Sequence, residues 1–153
     1  MLLRWIAAAA FAGLCVPAIA VAQDVAPPDG YVWADACKDC HPKQYDSWKK
    51  TKHATAILRL SAADRASGQC VGCHVTGVRQ IAEKEVNANV QCEECHGAGK
   101  AHVAAAASGG AAAASIARKP SESSCTACHS DKSPHFKFFS YSALAPLVHQ
   151  HGK

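Results

Sequence analysis

Cys92-Glu93-Glu94-Cys95-His96 decides how this sequence is read. Two thiols stand three residues apart, and a histidine follows the second at once. The same spacing returns in Cys37-Lys38-Asp39-Cys40-His41, Cys70-Val71-Gly72-Cys73-His74 and Cys125-Thr126-Ala127-Cys128-His129. Eight of the nine cysteines are used in this way, and the ninth, Cys15, lies in an apolar N-terminal run.

C-x-x-C-H is the attachment signature of c-type haem. The two sulfurs add to the porphyrin's two vinyl groups as thioethers, and the adjacent histidine binds iron from one face. Four copies imply four haem c groups. Cys37, Cys40, Cys70, Cys73, Cys92, Cys95, Cys125 and Cys128 are the attachment points, and His41, His74, His96 and His129 the iron ligands. Zinc ribbons built from four C-x-x-C pairs are the main alternative. Zinc does not require a histidine after each pair, and four would arise by chance on the order of once in 10⁵ chains. A disulfide scaffold leaves the same histidines unexplained.

Histidines are the candidates for the second iron ligands too. The only methionine is Met1, and it is expected to leave with the N-terminal segment. His53, His102, His135, His149 and His151 remain for four irons. Bis-histidine ligation lacks the potential-raising effect of Met/His ligation, so low potentials are expected. The spacing of Tyr45, Trp48, Ile57 and Leu60 predicts a helix over Lys43–Leu60. On such a helix His53 would lie about 18 Å from His41 and be rotated by about 120°, out of reach of the haem that His41 holds. His102 and His135 each follow a motif histidine by six residues, a short link to wrap around a porphyrin. These three therefore fit ligation of other haems.

With roughly 33 residues per haem the chain cannot bury a large side-chain core. The porphyrins themselves would form the core.

Several flanking residues make the pattern more specific. Trp48 and His53-Ala54 follow the first motif, and Val75 and Gly77 the second. Gly97-Ala98-Gly99 and His102 follow the third. Ser133-Pro134, Phe136-Lys137-Phe138 and His149-Gln150-His151 follow the fourth. In these features the chain resembles the tetrahaem cytochrome c-554 family, which accepts electrons from hydroxylamine oxidoreductase. The resemblance implies a mainly α, loop-rich multihaem fold built around stacked haem pairs. It implies that His102 ligates the first haem, His53 the third and His149 the fourth, and that the second, held by His74, is five-coordinate. The loops here are shorter than the family's, and His135 lies in a shortened region, where it is an alternative ligand for that second iron.

The N-terminus reads as an address. Arg4, the apolar run Trp5 to Ala20 and the small-x-small site Ala20-Val21-Ala22 predict a signal peptide over residues 1–22. A tetrahaem domain over residues 23–153 would then lie in the periplasm, with no integral membrane segment. The formal charge is +4. Each ferric haem with both propionates ionised would contribute roughly −1, so the loaded protein is expected to be near neutral. The basic chain is thus a poor argument for nucleic acid, and none is expected as a partner.

The expected function is electron transfer between redox proteins. A hydroxylamine-oxidoreductase-like donor and a membrane quinone-linked or small cytochrome acceptor are the partners considered. The alternative is an enzyme acting on nitric oxide, hydroxylamine or nitrite at a five-coordinate second haem. Lys49, Lys50 and Lys52 read as a solvated face, with docking of an acidic partner as the alternative. Tyr45 and Trp48 are expected against porphyrin edges. A hairpin or extended loop is expected over Glu83–Gln91. Ala104–Ala117 reads as a spacer, with helix broken at Gly109-Gly110.

Overall fold

The attachment motifs themselves are short helical turns, because a three-residue spacing puts two side chains on one helix face. In the computed structural model, α4 is the third motif itself, Cys92–His96. The first motif runs off the end of α1 (Trp33–Lys38), and its His41 precedes α2 (Pro42–Trp48). The second sits on a 3-10 turn, Val71–Cys73, and the fourth begins in α6 (Glu122–Thr126). In the first and fourth motifs the histidine N–H donates to the carbonyl of the first cysteine at 2.9 Å, closing one helical turn. In the second, His74 donates to Val71 instead, a tighter turn.

The structure describes residue 27 and residues 29–77, 89–110, 116–135 and 137–149. The predicted signal peptide, His151, Phe136, residues 83–88 of the expected hairpin and the second alanine run lie outside these residues. The other helices are α3 (Ala62–Ala66), α5 (Lys100–Ala107) and α7 (Tyr141–Leu144), the last followed by a 3-10 turn, Ala145–Leu147. Among the described residues there is no strand, which agrees with a helical, loop-rich class. Residues 89–91 are a docked connector: Val90 N–H donates to the His53 carbonyl, and Thr76 hydroxyl to that of Asn89.

The helix expected over Lys43–Leu60 is not continuous. α2 stops at Trp48, and a kinked 3-10 segment occupies His53–Arg59. Thr51 explains the break. Its hydroxyl and its backbone N–H both donate to the Trp48 carbonyl, at 2.7 and 2.8 Å, in place of a continued ladder. The expected break in the alanine-rich stretch is present, since α5 ends at Ala107, before Ser108-Gly109-Gly110.

The side-chain core is small. Among the described residues, the buried apolar set is Ala34, Tyr45, Ala56, Ile57, Val71, Val75 and Val90. Leu58, Phe138, Leu144 and Leu147 are exposed. A core of this size leaves apolar side chains uncovered.

Candidate haem-binding site

Three histidine pairs define the site. The rings of His41 and His102 lie 6.3 Å apart between centroids, those of His53 and His129 6.0 Å, and those of His96 and His149 5.8 Å. Each pair joins one motif histidine to one histidine outside the motifs. Two imidazoles on opposite faces of one iron would stand about 6 Å apart, from two metal–nitrogen bonds of roughly 2 Å and two ring radii of roughly 1.1 Å. The spacing therefore fits bis-histidine haem.

His102 meets His41, as the resemblance implied. The other two assignments are reversed: His53 lies against His129 of the fourth motif, and His149 against His96 of the third. Ligand type can be read from composition, but which distant partners meet is set by how the blocks pack. His135 is exposed and interacts electrostatically with Asp64. Among the described residues, no histidine ring is paired with His74.

Backbone carbonyls fix the protons of two motif histidines. His74 Nδ1 lies 2.7 Å from the Ala56 carbonyl, and His96 Nδ1 2.5 Å from that of Ala117. A carbonyl only accepts, so Nδ1 carries hydrogen and Nε2 keeps its lone pair for a metal. Burial, and then the neighbouring His129, hold His53 below the ordinary imidazole range, which favours the neutral form that binds metal.

Thiols of different motifs come together. The Cys92 thiol donates to Cys37, which holds Cys37 below and raises Cys92 above the usual thiol range. Cys128, next to Cys73, is pushed up to about 12, chiefly by burial. Cys95, pushed up to about 11, is likewise desolvated and feels Cys125. These neighbours link the motifs in the order one, three, four, two. Cys40 is exposed, and the other seven thiols are partly covered.

The donor set fits haem better than zinc. Among the described residues, no three His, Cys, Asp or Glu side chains are grouped to hold one ion, whereas structural zinc takes four protein ligands. Iron in a porphyrin asks the protein for only one or two. Ser130 Oγ, beside the fourth motif, is buried with no hydrogen-bond partner among the described residues, an orphan that the polar edge of a bound group would satisfy.

Tyr45 and Trp48 are built into protein contacts. Tyr45 is buried, its hydroxyl donates to Asp35, and Lys38 and Lys49 lie over its ring. Trp48 packs on Tyr45 and donates to the Val90 carbonyl at 2.9 Å. Glu93, in a motif position that the haem chemistry leaves free, was not singled out from sequence. It is 1% exposed and accepts backbone N–H groups from Val32, Trp33 and Gly99.

Comparison with known proteins finds a likeness to c-type cytochromes over part of this chain. Residues 36–97, which hold the first three motifs, match the family described as cytochrome c554 and c-prime. Cytochrome c-554 of Nitrosomonas europaea is 34% identical over 86 residues, in an alignment covering 42% of this chain and 37% of that relative. The chain thus spans little more than a third of that relative's length, and the likeness to the c554 family rests on these two matches. No solved structure matches. No helix among the described residues is long and apolar enough to cross a membrane.

Proposed function

We propose that the chain is an exported, periplasmic tetrahaem cytochrome c, with a signal peptide over residues 1–22 and a haem domain over 23–153, that transfers electrons between redox proteins. The three histidine pairs near 6 Å carry this reading. When bound, each haem supplies an iron that cycles between the ferric and ferrous states. The cysteines of the four motifs tether the rings. His41 with His102, His96 with His149, and His129 with His53 would supply the ligands of three irons and keep water off them. The close thiols Cys37 and Cys92, and Cys73 and Cys128, favour neighbouring haem edges, so that electrons pass along the array without a catalytic acid or base. A hydroxylamine-oxidoreductase-like donor and a quinone-linked or small cytochrome acceptor are the proposed partner classes.

His74 favours a second reading at one haem. With no histidine ring paired to it among the described residues, it supports an open iron face that could take nitric oxide, hydroxylamine or nitrite. EPR and haem quantitation of the purified protein test both readings. Four covalent haems with three low-spin ferric signals and one high-spin signal are expected. Fewer than four haems per chain would overturn the tetrahaem reading, and four low-spin signals would remove the second.

A further inference from the structure

We propose that Phe139 is a positioning residue that sets the plane of the His129 ring and holds it steeply inclined to His53, so that the fourth-motif haem is electronically unlike the first and third. This rests on the bis-histidine reading above. The paired rings differ in one respect. His41 and His102 are inclined by 24° and His96 and His149 by 28°, but His53 and His129 by 69°.

The cause lies beside His129. The Phe139 ring is stacked on it, with centroids 4.7 Å apart and planes 15° from parallel. His96 is fixed through Nδ1 by a carbonyl, whereas His129 is held by a flat apolar face. Phe139 is itself well placed to do this. It is half-buried, while its neighbour Phe138 is 88% exposed, so this stretch turns one ring inward and the other out. Two residues on, the Tyr141 hydroxyl donates to the Pro120 carbonyl at 2.6 Å, tying this stretch to the segment that leads into Cys125 and His129.

Ring inclination matters because an imidazole donates π density only through the orbital normal to its plane. Two nearly parallel rings load the same iron d orbital and split it from its partner. Two crossed rings load one orbital each and leave the pair nearly degenerate, which makes the ferric signal strongly anisotropic. Orientation of axial ligands is thus a lever on the haem that the protein controls.

Low-temperature EPR of the oxidised holoprotein tests this. Two rhombic low-spin signals are expected, with one strongly anisotropic signal whose low-field feature lies at larger g. His53→Ala should abolish that feature, assigning it to the fourth motif. Phe139→Leu should move it to smaller g, towards the rhombic pair, while Phe139→Tyr leaves it in place. Should Phe139→Leu fail to load haem, Phe139→Met fills the space without a flat face and should give the same shift. A feature unmoved in the non-aromatic variant overturns the proposal, as does a native protein with three alike rhombic signals. Absence of any low-spin signal would instead overturn the bis-histidine reading itself.

Discussion

Trp33 has a left-handed backbone, φ 63°, and its N–H donates to the Glu93 carboxylate 60 residues further on, at 2.9 Å. A bulky residue in this region costs roughly 1–2 kcal/mol. Charge-assisted hydrogen bonds offset that cost. The same carboxylate accepts from Val32 at 3.0 Å and from Gly99 at 2.7 Å. Glu93 therefore clasps the chain ahead of the first motif to the turn behind the third.

Glu93→Ala should accordingly be among the most damaging single changes. It strands three backbone donors where burial is nearly complete, and a loss of about 3 kcal/mol or more is expected. Glu93→Gln keeps an accepting oxygen and should cost less. Denaturant unfolding of the holoprotein measures both. A loss below about 0.5 kcal/mol for the alanine variant, typical of an ordinary surface change, would contradict the clasp.

Gly77 and Gly68 separate steric from backbone effects. Both have positive φ, +69° and +70°. A Cβ at Gly77 would come within 2.9 Å of the Tyr31 ring, whereas one at Gly68 meets nothing within 4 Å. Gly68→Ala should cost about 1 kcal/mol from backbone strain alone. Gly77→Ala should cost more, and thermal unfolding of the two variants side by side reads the difference.

Tyr45 gives a pH test. Its phenol is pushed up to about 12, first by the hydrogen bond to Asp35 and then by burial. The folded state thus favours the neutral phenol more than the unfolded chain does, whose tyrosine titrates near about 10. The associated stability is fully present below pH about 10 and is lost as pH rises towards 12. Tyr45→Phe should remove this alkaline loss and cost about 1–2 kcal/mol at neutral pH. Phenolate absorbance followed against pH checks the titration.

The crossed histidine pairs predict which variants act on the same haem. His149→Ala should perturb the EPR signal that disappears when Cys92 and Cys95 are both replaced by alanine. His102→Ala should perturb the one lost with Cys37 and Cys40. Coincidence of the His149 effect with loss of the fourth motif would contradict the pairing seen here.

Residues 37–41, 70–74, 92–96 and 125–129 were legible because each motif is local, and so was the supply of extra histidines. The assignment of His53 and His149 was not, because nothing within either block says which distant turn it will meet. The break after Trp48 was hidden because Thr51 competes through a side chain, while apolar periodicity registers only burial. Glu93 carried a faint signal at best: an acid inside a motif due to be buried needs donors, but the sequence does not say that residues 32 and 33 supply them.

The three ring pairs interleave along the chain in the order 41, 53, 96, 102, 129, 149, so each opens before the preceding one closes. Any cut between neighbouring motifs parts at least one pair, and a single nick in the five residues from Gly97 to Ala101 parts all three. Among the described residues, these ring pairs accordingly leave no seam along which the motifs could be divided into two halves that each keep their pairs whole.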